Sequence, residues 1–135
     1  MKTFAGLVVG LLLLNTFTRA AATTQPRSEK EKIEALIGIV HDMKDAKFIR
    51  NGSEYDGPAA ADHMRTKWSN GSSSIKTAKD FIKLAASTSS MSGKPYLIRF
   101  KNGKEQTSAD FLLSQLDRLE GRAPTTAPSA TPPAP

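Results

Sequence analysis

The sequence predicts an α+β fold: a small single domain of about four helices with a short antiparallel β-hairpin. Three observations carry the prediction. Apolar residues recur at helical spacing in four separate stretches. Capping residues stand at the start of most of them. One further stretch, YLIRFKNGKEQ, alternates on either side of an Asn-Gly pair, as a hairpin does.

The first helix opens at Ser28-Glu29-Lys30-Glu31, where the serine hydroxyl and the Glu31 carboxylate can each satisfy a free amide of the other residue. Ile33, Leu36, Ile37 and Val40 then follow the i, i+3, i+4, i+7 period, and the helix should fade near Met43 or Lys44. Phe48-Ile49 leads into Asn51-Gly52, a turn signal. A second helix is expected from Pro58, whose fixed φ suits a first helical position. Ala60, Ala61, Met64 and Trp68 share one arc of its surface.

Asn70-Gly71 and three serines break the chain. Thr77-x-x-Asp80 then caps a short third helix carrying Ala78, Phe81, Ile82 and Ala85 inward. Tyr96, Ile98 and Phe100 alternate at strand period, and Asn102-Gly103 should turn the chain with φ positive at both positions. The return strand is expected at Lys104 to Gln106. Thr107-Ser108 caps the last helix, with Ala109, Leu112, Leu113, Leu116 and Leu119 facing the core.

The ends read differently. Lys2, the apolar run LVVGLLLL and Ala20-Ala21-Ala22 have the order of a secretory signal peptide over residues 1–22, cleaved near Ala22. The apolar run is too short for a spanning helix, which needs about 20 residues, so no stable membrane span is expected after cleavage. Residues 23–27 form a flexible N-terminus, residues 28–120 the α+β domain, and the Pro/Ala/Thr-rich residues 121–135 a disordered tail. The expected location is periplasmic or secreted. Cysteine is absent, so neither disulfides nor lipid attachment at a cysteine enter the argument.

The chain carries 19 basic and 13 acidic residues, for a net charge of +6. Loss of Lys2 and Arg19 with the leader lowers this to +4. Between Lys47 and Lys104, eleven basic residues stand against Glu54, Asp56, Asp62 and Asp80. A basic middle segment suits an anionic partner. Nucleic acid is not expected, because aromatics are few and no recognition motif of that class is present.

Complete catalytic motifs are missing. SGKP, at Ser92 to Pro95, invites a phosphate-loop reading, but Thr88 stands where the upstream glycine belongs and Pro95 where a hydroxyl should hold magnesium. Gly93 and Pro95 instead suit a turn leading to a strand, and Lys94 can at most attract an anion as a point charge. No Gly-x-Ser-x-Gly elbow occurs, and Met91 occupies the place that a Ser-x-x-Lys motif would need. His63 with a serine from Ser87 to Ser92 would be the minimal hydrolase constellation. Two histidines without cysteine make no closed metal site, and no cofactor motif is seen.

The constellation that stands out is FIRNGSEY followed by AADHMRTKW. On the second helix His63 and Lys67 border the apolar arc on one side and Arg65 on the other, with Arg50 just before the preceding turn. Two readings remain open. Arg50, His63, Arg65 and Lys67 can line a cationic pocket for a carboxylate, phosphate or acidic peptide, with Asn51 and Gly52 shaping the loop and Lys94 as an accessory. The same side chains can equally be hydrogen-bonding pins for the Asn51-Gly52 loop.

KFIRNGSEYDGPAAADHMRTKW, IKTAKDFI and ASTSSMSGKPYLIRF together resemble the YfeK-like family of small exported bacterial proteins, a domain of unknown function. The resemblance runs from about Glu31 to Leu119. It implies a bacterial source and an exported location, under which the Asn51-Gly52-Ser53 and Asn70-Gly71-Ser72 glycosylation patterns have no role. It brings no activity. Family members with a cysteine near the start of the second helix have no counterpart here, and Trp68 stands where leucine is usual. The functional expectation is a non-enzymatic binding or interaction module for an anionic small molecule or an envelope protein. The alternative is a small serine/histidine-dependent hydrolase acting on envelope material. Oligomeric state is not set by the sequence.

Overall fold

The computed structural model describes residues 25–124. The leader read at residues 1–22 and most of the Pro-rich tail lie outside the described residues. Four helices and a four-stranded antiparallel sheet make up the fold: α1 (Glu29–His41), β1 (Lys47–Arg50), β2 (Ser53–Tyr55), α2 (Gly57–Asn70), α3 (Ala78–Phe81), β3 (Leu97–Arg99), β4 (Glu105–Thr107) and α4 (Ser108–Leu119). The strand order is β2-β1-β3-β4. No described helix is long and apolar enough to cross a membrane.

Both expected capping boxes form. The Ser28 amide donates to Glu31 at 2.7 Å while the Glu31 amide donates to the Ser28 hydroxyl at 3.3 Å. Thr77 and Asp80 exchange the corresponding bonds at 2.9 and 3.1 Å. Helix α3 runs on into a π turn, Ile82–Ala86, where the Ser87 hydroxyl donates to the Ile82 carbonyl. That bond satisfies an acceptor which the widened turn would otherwise leave open.

The sheet is larger than the single hairpin read from the sequence. Asn51 and Gly52, at φ +52° and +80°, close a second hairpin between β1 and β2, the pair of left-handed residues that a tight two-residue turn needs. At the expected hairpin only Gly103 has positive φ, +81°. The Gly103 amide bonds the Phe100 carbonyl at 2.9 Å, so the turn is closed before Gly103 and Asn102 keeps an ordinary conformation. The return strand accordingly starts one residue late, at Glu105. Helix α2 starts at Gly57 behind an Asp56 cap, which leaves Pro58 at its second position. Leu113, expected inside, is 37% exposed.

Strand parity separates the two faces of the sheet. Tyr55, Phe48, Ile98 and Gln106 lie in one cross-strand row, and Phe48 and Ile98 join the core made by the helices. The alternate row Lys47, Arg99 and Glu105 lies on the opposite face, where Arg99 pairs with Glu105 at 2.8 Å and also with Glu54. Arg50, two residues after Phe48, therefore belongs to the helix-facing side. The core beneath is supplied by Ile33, Leu36, Ile37 and Val40 of α1, Phe81 and Ile82, and Leu112 and Leu116 of α4, all at most 2% exposed. Lys32 ties three elements at its edge, donating to Glu29 at 2.6 Å and to Glu120 at 2.7 Å, while Glu29 accepts the Ala78 amide at 2.7 Å.

Candidate functional site

A cavity of about 170 Å³ opens between the helix-facing side of β1 and β2 and the N-terminal half of α2. Phe48, Tyr55, Ala60 and Met64 supply apolar wall, while Arg50, His63, Tyr96 and Ser108 bring polar groups to it. Mostly apolar walls with a few convergent polar atoms are what small-molecule sites generally offer.

Each side chain arrives there for a local reason. Arg50 follows Phe48 by two residues, so strand alternation turns it inward rather than to solvent. His63 and Lys67 stand four apart on α2 and share a face beside the buried Ala60 and Met64. Tyr96 precedes Ile98 by two residues and is only 7% exposed.

These groups form one network. The Arg50 guanidinium lies 2.9 Å from His63 Nε2 and 3.0 Å from Nδ1, donates to the Tyr55 hydroxyl at 3.3 Å, and sits 5.1 Å from the centre of the Tyr55 ring. A neutral imidazole has one acceptor nitrogen, so Arg50 donates to that nitrogen and the other keeps its proton. His63 Nε2 is also 3.3 Å from the Tyr96 hydroxyl. Lys67 donates to the Thr88 carbonyl at 3.1 Å and to the Tyr96 hydroxyl at 3.4 Å, with its ammonium 5.2 Å from the Tyr96 ring centre.

Charge in this network is unbalanced. Neither Arg50 nor Lys67 takes part in any ion pair among the described residues. Burial, then the Arg50 charge, then Lys67 hold the His63 ring below its ordinary range. Burial and Arg50 likewise lower the Lys67 ammonium, and burial raises the Tyr96 phenol. Two cations held together with no carboxylate between them present a field that an anion would relieve.

The pH consequence has a definite sign. The unfolded chain protonates histidine near 6.5, whereas folded His63, facing Arg50 of β1, Lys67 of its own helix and Tyr96 before β3, protonates lower. Below pH 6.5 the unfolded state therefore binds more protons, so this contribution to stability is complete above that value and is lost as pH falls towards the folded pKa. Urea midpoints measured across this range should drop on acidification, and His63→Gln should remove that component. Glu29, Glu31 and Asp80, whose carboxyls are held low by their hydrogen bonds, act only in the separate window below about 4.5.

Of the candidates read from the sequence, Arg50, His63 and Lys67 come together. Arg65 does not. It stands two residues from both His63 and Lys67, which turns it to the opposite side of α2, and it pairs with Asp62 at 3.1 Å. Lys94 is exposed on the loop after the π turn, where the Ser89 amide donates to its carbonyl at 3.0 Å. Asn51 donates to the buried Ser89 hydroxyl at 3.1 Å and accepts from Ser92, fastening the β1–β2 turn to that loop, while Gly52 completes the turn. The hydroxyls of Ser87, Ser89 and Ser92 are thus engaged with Ile82 and Asn51, and the hydrogen-bond partners of His63 are Arg50 and Tyr96.

Sequence reasoning missed three residues of the lining: Tyr55, Tyr96 as a polar group, and Ser108. Tyr96 had a signal, since strand period put it on the face of Ile98 and tyrosine carries a hydroxyl at its tip. Ser108 had none. It was read with Thr107 as a cap, but Thr107 alone caps α4, accepting the Asp110 amide at 3.2 Å. Ser108 is 0% exposed, and its hydroxyl is the one buried side-chain polar atom among the described residues that lacks a hydrogen-bond partner.

Fold and site together define a small α+β domain built around an aromatic-walled cavity with a cationic edge. No group of three or more acidic or histidine side chains placed to hold a metal occurs among the described residues. The chain belongs to the family described as "Family of unknown function (DUF5329)", which matches residues 27–120. It is 38% identical over 96 residues to "Uncharacterized protein YfeK" of Salmonella typhimurium, covering 71% of this chain and 77% of that protein. No solved structure matches.

Proposed function

We propose that the protein is an exported, non-enzymatic binding module that captures a small anion at the Arg50–His63–Lys67 edge of the cavity. One observation carries the reading: Arg50 lines the apolar cavity, Lys67 adjoins it through the Tyr96 hydroxyl that His63 also meets, and neither cation is paired with a carboxylate among the described residues. A planar guanidinium already oriented by Tyr55 and His63 loses little freedom on binding a carboxylate or phosphate. The exported location is supported by the leader-like composition of residues 1–22. A serine/histidine hydrolase would need His63 beside a serine hydroxyl, whereas its ring is engaged by Arg50 and Tyr96.

The test is an NMR titration of labelled protein with inorganic phosphate and with acetate at constant ionic strength. Signals of the Arg50 side chain, the His63 ring and Tyr96 should shift saturably. Arg50→Met should weaken binding by about tenfold or more, the scale of a lost charged hydrogen bond. Equal shifts at lysines on every face, or an Arg50→Met variant that binds as the wild type does, would overturn the proposal.

A further inference from the structure

A second concave surface, an open groove of about 390 Å³, lies between the end of α2 and the π turn. Lys67, Asn70, Ile75, Leu84 and Ser90 line it. Of the three large apolar side chains exposed among the described residues, two stand at this corner. Leu84 is 47% exposed, and Met91, next to Ser90, is 95% exposed. Exposed apolar side chains are ordinary when scattered singly and informative when they come together beside strong charge.

The charge here has one sign. Lys76, Lys79, Lys83 and Lys94 are all exposed, and the only acidic residue between Lys76 and Lys94 is Asp80. The Asp80 carboxylate accepts the amides of Lys76 and Thr77. None of the four lysines takes part in an ion pair among the described residues. Lys83 adjoins Leu84 along the chain, and the Lys94 carbonyl accepts the Ser89 amide at 3.0 Å, beside Ser90. Positive charge therefore flanks both apolar side chains and complements a negative surface.

Two features select the kind of surface. The four cations are lysines without an arginine, flexible point charges that suit many dispersed negative groups better than one planar carboxylate. The loop that displays Met91 is also closed on itself. Thr88 bridges Pro95, the Met91 and Ser92 amides reach the Ser89 hydroxyl at 3.3 and 3.4 Å, and the Gly93 amide bonds the Ser89 carbonyl at 2.8 Å. Lys67 pins its base through the Thr88 carbonyl at 3.1 Å. A tip whose amides are already bonded can enter an apolar medium without leaving those donors open.

We propose that this corner docks on an anionic phospholipid membrane. Leu84 and Met91 enter the headgroup region, while Lys79, Lys83 and Lys94 lie against lipid phosphates. Attachment of this kind adds apolar burial to charge attraction and needs no spanning helix. It requires neither the Arg50 cavity nor a ligand in it.

Flotation of the full chain with mixed phosphatidylglycerol and phosphatidylcholine vesicles, against phosphatidylcholine alone, tests the proposal. The chain should bind the anionic vesicles more tightly, and most of that excess should vanish between about 0.1 and about 1 M salt. Lys79→Gln/Lys83→Gln should weaken binding about 20- to 30-fold, two charges at the scale of one basic residue near an anionic surface. Leu84→Ser/Met91→Ser should weaken it about three- to tenfold, from the lost apolar burial. Residues 1–22 are the same in every variant, so any lipid affinity of their apolar run cancels from these ratios. All four side chains are exposed, so the urea midpoints of both variants should match the wild type. Equal binding to both kinds of vesicle, or either double variant within about twofold of wild type, would overturn the proposal. Polyglutamate bound as tightly as the anionic vesicles, with Leu84→Ser/Met91→Ser unaffected, would assign the corner to an acidic polypeptide and overturn the lipid reading. Arg50→Met should leave vesicle binding unchanged, so that failure here and failure of the anion site are told apart.

Discussion

Phe81→Ala should destabilise the domain by about 3–5 kcal/mol, the range found when a fully buried aromatic side chain is cut back. Phe81 is 0% exposed and ends α3 where the helix widens into the π turn. It meets Trp68 of α2 edge to face, with ring centres 6.2 Å apart. Truncation would remove the ring from the core that α3 shares with α1 and with Trp68 of α2. Small domains have roughly 5–15 kcal/mol of stability in all, so this one change would remove much of it. Trp68 is the only tryptophan in the chain, and its fluorescence therefore reads the transition without a label. The expected result is a urea midpoint far below wild type with an unchanged slope. A shift worth less than about 1 kcal/mol would show that the packing around Phe81 collapses to fill the space.

Much of this architecture was legible because helices announce themselves over many residues. Ile33, Leu36, Ile37 and Val40 mark one face over about two turns, and Ser28-Glu31 and Thr77-Asp80 mark the starts. Strands of three or four residues cannot do so. FIR and SEY each offer fewer than two full alternations, so β1 and β2 were visible only through the Asn51-Gly52 turn between them. The site shows the same division. His63 and Lys67 could be set side by side because an i, i+4 step fixes a direction, whereas Arg50 was read only as standing before the turn and takes its inward direction from a strand too short to be read. Arg65, already read on the other border of the apolar arc, pairs with Asp62 away from that group, and Lys94 sits in a loop tied through Asn51 and Ser89. Ser108 was illegible because its meaning depends on burial, which comes from residues far away in the chain. A hydroxyl at a helix start looks like a cap in sequence, and only tertiary structure separates a used cap at Thr107 from an unpaired hydroxyl one residue later.

Gly57→Ala should cost stability as well, towards the upper end of the roughly 1–3 kcal/mol typical of overpacking. The sign is not obvious, because alanine is the better helix former by about 1 kcal/mol. Geometry decides it. A Cβ on Gly57 would lie 2.5 Å from the Val40 carbonyl oxygen, 2.9 Å from that of His41 and 3.0 Å from that of Met43. All three are backbone atoms, two in the last turn of α1 and one just past its end, so no side chain can swing away, and α2 itself must move. The close approach also sets the positive start of α2 against the negative end of α1, an arrangement that the displacement would weaken. Because α2 carries His63 and Lys67 while Arg50 stays with the sheet, the same shift would pull the anion-binding groups apart. Gly57→Ala should thus lower both the urea midpoint and the phosphate affinity of the molecules that remain folded. Affinity unchanged in a destabilised variant would mean that α2 pivots about its far end and keeps His63 and Lys67 in place.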